Sequence, residues 1–183
     1  MLSPFHSPRV TYRNHGPANL DALHRWVNDR EIQDLSNDVY AEVPRERTEQ
    51  RLARWIRNDE EDTRHLALHL RGSDRLIGFA HLVFINQDHG TCKVGIVIGE
   101  KDCWGQGLGT EILGRLVRYV FEDLGLRRIA GEVFSSNPRS SAMVERVGFV
   151  REGILRETVR KGDGYIDEYA YGLLRREWNP EAP

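Results

Sequence analysis

The spacing of apolar residues changes period along the chain. Behind a strand candidate around residues 9–13, Leu20, Leu23, Trp26 and Val27 recur at helical spacing after Pro17-Ala18-Asn19, which predicts a first helix ending near Asp29 and Arg30. Ile32 and Leu35 predict a short second helical piece. Leu52, Trp55 and Ile56, behind Thr48, predict a third that runs to Asn58. From His65 the period drops to two. Leu66, Leu68 and Leu70 alternate, and after a turn at Gly72-Ser73-Asp74, Ile77, Phe79, His81, Val83 and Ile85 face one way while Leu76, Ala80, Leu82 and Phe84 face the other. The two runs read as a hairpin. NQDHG at 86–90 marks a second turn, and VGIVI at 94–98, apolar on both faces, reads as a central strand.

Helical spacing returns with Ile112, Leu113, Leu116, Val117, Val120, Phe121 and Leu124, closed by Gly125. A strand at 128–134 follows. Asn137, Pro138 and Arg139 open a helix with Ala142, Met143, Val144 and Val147 inward and Gly148 as its stop. Strands at 149–160 and 165–174 are joined by Lys161-Gly162-Asp163-Gly164, an Asp-Gly hairpin signal. No repeat, low-complexity tract or linker interrupts this order. Helices, then antiparallel strands, then β-α-β-α-β-β predict an α/β (α+β) fold: a mixed, mostly antiparallel sheet with helices on both faces, in a single domain over residues 1–183.

Composition narrows the partners. An apolar fraction of 39% over 183 residues supports one real core. Acidic and basic residues, 28 and 26, are mixed along the chain and leave a net charge of −2, so there is no electrostatic footprint for nucleic acid or an anionic membrane. Residues 1–18 hold no apolar run of signal-peptide length, and no later segment reaches the roughly 20 apolar residues of a membrane span. Cys92 and Cys103 lack paired-ligand spacing and make no disulfide framework. The expectation is a cytoplasmic protein with no metal, acting on small or local partners.

CWGQGLGT at 103–110 carries the chemistry. A buried strand running into Gly105, Gly107 and Gly109 and then a long helix places free backbone N–H groups at the positive end of a helix dipole, a geometry that binds phosphate. A nucleoside-triphosphate loop would close on Gly-Lys-Ser/Thr, whereas Gly109 is followed by Thr110 and Glu111. A dinucleotide loop requires G-x-G-x-x-G in an N-terminal β-α-β unit, and here the spacing is G-x-G-x-G after several strands. A pyrophosphate loop for an acyl-coenzyme A and a merely tight-packing helix start both remain open on the glycines alone.

VGIVIGEKDCWGQGLGTEIL resembles motif A of the GNAT acetyltransferases, whose pattern is Arg/Gln-x-x-Gly-x-Gly/Ala, and NPRSSAMVERVGFVREG resembles their motif B, Asn-x-x-Ser/Ala followed by Gly-Phe. One helix and one strand separate the two, as in the family, and the resemblance extends over residues 26–174. Its flavour is that of the branch with ribosomal-protein N-terminal acetyltransferases and bacterial spermidine acetyltransferases. The resemblance implies a GNAT fold and acetyl-coenzyme A as cosubstrate. It implies that amides of Gln106, Gly107, Leu108, Gly109 and Thr110 hold the pyrophosphate, that Ile96, Val97 and Ile98 pair their backbone with the pantetheine arm, and that Asn137, Ser140 and Arg146 line the other wall. Trp104 stands at the first motif A position, in place of Arg or Gln, and by that place is counted among the cofactor-binding residues.

The implied reaction is direct acetyl transfer to a primary amine, either a protein N-terminus or a small amine such as a polyamine, amino-sugar or antibiotic. Amine attack needs a base, amides to steady an oxyanion and an acid for the leaving thiolate. Where many relatives carry a tyrosine acid this chain has Val144, and where many carry a glutamate on the central strand it has Lys93. What remains is Ser140 near the thiol, the Ile98 N–H as oxyanion donor, and carboxylates acting through water: Glu157, Glu31 or Asp34. These absences keep open a non-catalytic acetyl-coenzyme A sensor or scaffold.

Other features read more plainly. DEED at 59–62 is a solvated turn, Trp26 and Trp55 are core, and His81 and His89 flank a hairpin without a metal partner. Cys103 is an inert thiol. Tyr165, Asp167, Glu168, Tyr169 and Tyr171 alternate on the last strand, whose faces suit an acceptor, a sheet edge or a homodimer surface.

Overall fold

In a computed structural model of the chain, residues 5–36 and 41–181 are described; residues 1–4, 37–40 and 182–183 of the expected single domain lie outside them. Eight strands form one sheet: β1 (Phe5–His6), β2 (Val10–Arg13), β3 (Arg64–Leu70), β4 (Leu76–Asn86), β5 (Thr91–Ile98), β6 (Arg128–Phe134), β7 (Val150–Lys161) and β8 (Gly164–Leu174). Their spatial order is β1-β2-β3-β4-β5-β6-β8-β7. Every neighbouring pair is antiparallel except β5 and β6. A parallel pair needs a crossover, and α4 (Leu108–Arg118) supplies it.

α1 (Leu20–Val27), α2 (Arg30–Ser36) and α3 (Arg45–Arg57) cover one face, where Leu23, Trp26, Ile32, Leu52 and Trp55 close over Phe79 and Val97. α4 and α5 (Pro138–Val147) cover the other. Ile112 and Leu116 of α4 pack on Val10, Tyr12, Leu66, Leu68 and Ala80, while Leu113 and Val117 join Val144 and Val147 of α5 over Ile129 and Leu173. The expected mixed sheet with helices on both faces is present.

Three local features depart from the sequence pattern. Ile77 does not share a face with Phe79: a bulge between Leu68↔Gly78 and His69↔Leu76 turns Ile77 into the cluster with Ala80. The helix expected through Leu124 is α-helical to Arg118, then makes one π turn, Tyr119–Asp123, in which the Leu124 N–H donates to the Tyr119 carbonyl at 3.0 Å. A second bulge bends the edge strand β7 between Leu155 and Val159, with Glu157 at φ +51°.

The parallel pair is short. β5 and β6 are in register only from Thr91↔Arg128 to Lys93↔Ala130, after which they part. The site opens in that gap.

Candidate functional site

On its other edge β5 is paired with β4 as far as Gly78↔Ile98, and the Gly99 N–H donates to the Ile77 carbonyl at 2.8 Å. Hydrogen-bonded pairs alternate along an antiparallel ladder. Counting back from Gly99, Val97 and Gly95 turn their backbone groups to β4, and Ile96 and Ile98 turn theirs to the gap. This refines the expectation for the strand: Val97 offers the gap its side chain, and Ile96 and Ile98 offer theirs and their amides. The indole Nε1 of Trp104 donates to the Ile98 carbonyl at 2.8 Å, so Trp104 fixes the end of β5.

Past β5 the loop is tied down from below. Glu100 accepts hydrogen bonds from Arg25, from the Trp26 indole at 3.0 Å and from Arg75 at 2.8 Å. Gly105 and Gly107 take φ of +72° and +76°, and Gly107 caps α4. No neighbour lies within 4 Å of where a Gly105 Cβ would stand, so the turn is open on that side. Glu111, a charge of the wrong sign for phosphate, is turned away: its carboxylate accepts from the Ser7 hydroxyl and the Arg9 N–H, both at 2.7 Å, and from the Arg9 guanidinium at 2.6 Å. Burial would raise its pKa, but these donors outweigh burial and hold the carboxyl below the usual range. Arg9 also donates to the Gln106 carbonyl at 2.9 Å, bracing the turn.

A cavity of about 430 Å³ runs from this turn to the β5–β6 gap, lined by Ile96, Val97, Ile98, Trp104, Gly107, Leu108, Gly109, Thr110, Asn137, Ser140 and Arg146. Gln106 is absent from that lining, and its side-chain amide donates to the Asp102 carbonyl at 2.5 Å. Asn137 caps α5 by accepting the Ser140 N–H at 3.1 Å and reaches across to the Leu35 carbonyl at 3.3 Å, tying the end of α2 to the far wall. The Ser140 side chain lines both this cavity and a second one of about 350 Å³. Cys103 is buried, and burial, reinforced by Asp102, pushes its thiol pKa up, which removes it as a nucleophile.

The second cavity crosses the gap and is lined by Gly95, Lys93, Glu132, Glu168 and His81. Lys93 is paired with Glu132 at 2.6 Å, so a carboxylate is present here, brought by β6. His81 sits on β4 with its ring over Gly95; a Cβ there would fall 2.2 Å from Nε2. Burial holds its pKa below the ordinary histidine range, so the imidazole is neutral at pH 7. A third space of about 400 Å³, on the α3 side, shares His81, Val83, Val97 and Ser36 with the second. The three spaces therefore adjoin one another across shared walls, and their series makes up the passage of this site.

Three sequence candidates lie off this passage. Glu31, on α2, pairs with Lys101 at 2.9 Å, and Glu157, in the β7 bulge, has its N–H bound to Asp167 at 2.9 Å; neither lines the cavities. Asp34 does not line them either. His81 and Glu132 went unrecognised as site residues because their partners, Gly95 and Lys93, are set by strand register. The one local signal was Gly95, a glycine inside a strand.

The acetyltransferase (GNAT) domain family model matches residues 9–150. The uncharacterized N-acetyltransferase p20 of Bacillus licheniformis is 25% identical over 97% of this chain and 99% of its own length. The ribosomal-protein-serine acetyltransferase of Escherichia coli is 30% identical over 63% of this chain and 72% of its own. Among solved structures, the spermidine N-acetyltransferase of Vibrio cholerae in complex with CoA and spermine aligns at a TM-score of 0.82 and 24% identity, covering 92% of this chain and 96% of that one. The chain belongs to the GNAT acetyltransferase family and is an N-acetyltransferase.

Proposed function

We propose that the protein moves an acetyl group from acetyl-coenzyme A directly to a primary amine, with His81 as the base. The observation that carries this reading is the series of adjoining cavities that leads from the glycine turn, past the unpaired amides of Ile96 and Ile98, to a neutral imidazole on the far side of the sheet. Acetyl-coenzyme A supplies the activated acetyl group when bound, and the residues present fit it. The amides of Gly107, Leu108, Gly109 and Thr110 at the start of α4, with Arg139 and Arg146 on α5, suit a pyrophosphate. Gln106 contributes its main chain to the same turn.

The free N–H groups of Ile96 and Ile98 follow the arm of the cosubstrate, and the Ile98 N–H is placed to steady negative charge on a carbonyl oxygen. His81 Nε2 takes the proton that the attacking amine loses. The Ser140 hydroxyl, without a protein partner among the described residues, donates toward the departing sulfur. A protein N-terminus and a small amine both satisfy this chemistry.

The deciding experiment joins calorimetric binding of acetyl-coenzyme A to thiol release with a panel of amines and N-terminal peptides. Micromolar binding and acceptor-dependent thiol release are expected. Binding with no release for any acceptor would leave a sensor or scaffold in place of the enzyme.

A further inference from the structure

The acceptor side of the passage has a charge pattern that narrows the amine. α3 is rich in arginine, and its charges divide into two sets. Arg45 is paired with Asp21 at 2.6 Å and Glu49 at 3.5 Å, and Arg57 with Asp59 at 3.7 Å. Arg47, Arg51 and Arg54, at i, i+4 and i+7 on one helix face, have no carboxylate partner among the described residues. Arg51 and Arg54 line the third space together with Trp55, His65 and His81. Arg51 is half-buried, its guanidinium 6.0 Å from the Trp55 ring centre. Trp55 stacks on His65 at 4.9 Å, and His65 lies 6.3 Å from His81, so one line of rings leads from the guanidinium to the base.

Among the described residues Glu60 is the one carboxylate lining this space, against two guanidiniums. On the other side of His81 the sign reverses: Glu168, half-buried and without an ion-pair partner among the described residues, lines the second cavity, where the Lys93–Glu132 pair cancels itself.

Three like charges on one helix face, one of them half-buried, destabilise a protein unless something answers them. Burial and the neighbouring charges of Arg54 and Arg47 depress the Arg51 pKa, a sign of that unmet cost. Guanidiniums are matched by carboxylate or phosphate oxygens. Resting on the acetyl-transfer reading above, we propose that the acceptor is a primary amine that also carries an anionic group, held by Arg51 and Arg54 while its amine meets His81. A polyamine has the wrong sign for this end of the passage. Arg51 and Arg54 are then specificity residues, remote from the reacting atoms.

The test compares matched acceptors by kcat/KM: 5-aminopentanoate against its methyl ester and against cadaverine, and the C-terminally amidated peptide Ser-Asp-Glu-Gly against amidated Ser-Asn-Gln-Gly. The anionic member of each set is expected to win by about tenfold or more, the pair that shows it distinguishing a small acceptor from a peptide N-terminus. Arg54→Gln, an exposed change, and Arg51→Gln/Arg54→Gln should erase the preference through KM while acetyl-coenzyme A affinity is retained, and Arg51→Glu/Arg54→Glu should reverse it toward cadaverine. Arg51→Lys should keep part of it. Equal use of neutral and anionic acceptors, or a preference untouched in the Arg54 variant and the double variants, would overturn the proposal. Thiol release from no acceptor at all, with acetyl-coenzyme A still bound, would instead overturn the transfer reading and this inference with it.

Discussion

His81 acts through what Gly95 lacks. The ring occupies the volume where a Cβ would stand 2.2 Å from Nε2, so Gly95→Ala must push the imidazole out of the passage. We expect that variant to stay folded and to lose kcat by about 10²-fold, the scale of a lost base. His81→Gln should lose as much, with acetyl-coenzyme A affinity unchanged by calorimetry. The pH profile separates chemistry from packing. Burial keeps the folded pKa of His81 under 6.5, and below that pKa the ring is protonated and cannot accept a proton. The wild-type kcat/KM should therefore fall on an acid limb below pH 6.5, and His81→Gln should lack that limb. An identical limb in the variant would move the base elsewhere. Neither residue was legible as a pair in the sequence, because 14 positions separate them and only the β4–β5 register, His81↔Gly95, joins them.

At the scale of elements, the glycine turn was legible because its requirement is local. Gly107 at φ +76° caps a helix whose first amides must stay bare, and both demands are met by a residue type. Gly107→Val brings a β-branched side chain to a left-handed backbone, costing roughly 1–2 kcal/mol. Acetyl-coenzyme A binding should be abolished while the circular dichroism spectrum is kept; unchanged affinity would show that the amides do not hold the pyrophosphate. Trp104 was legible only in part. Its place in the motif suggested a cofactor contact, and it lines the cavity, but nothing in the sequence showed that its indole also holds the Ile98 carbonyl six residues back. Trp104→Phe should cost about 1 kcal/mol and loosen the last turn of β5, read as faster amide exchange at Ile98 and Gly99. Bulges escaped the sequence altogether. Alternation put Ile77 beside Phe79, and the extra residue that reverses it leaves no mark in hydropathy.

Over the whole molecule, the order of elements predicted the layers correctly, since each helix and strand declares its apolar face. What order could not give was the line of rings from His15 through Trp55 and His65 to His81, with successive centres 5.0, 4.9 and 6.3 Å apart, which joins the α3 lobe to the sheet. That line also sets how the fold responds to acid. Burial is the main cause that lowers His15 to about 3 and His65 to about 4, while in an unfolded chain both titrate near 6.5. Between those values the unfolded state binds protons that the folded state refuses, so stability is full above pH 6.5 and drains away as pH falls toward 4 and then 3. Carboxylates such as Glu111 and Glu100, held below their usual range by their ion pairs, begin to contribute to acid loss only below about pH 4.5. The two sources are thus separable by where the melting temperature drops. Between pH 6.5 and 5 the decline should come from the histidines, and His15→Phe, which keeps a ring against Trp55 and removes the proton site, should flatten it. A variant that loses melting temperature over that interval as steeply as the wild type would place the acid sensitivity outside the ring line.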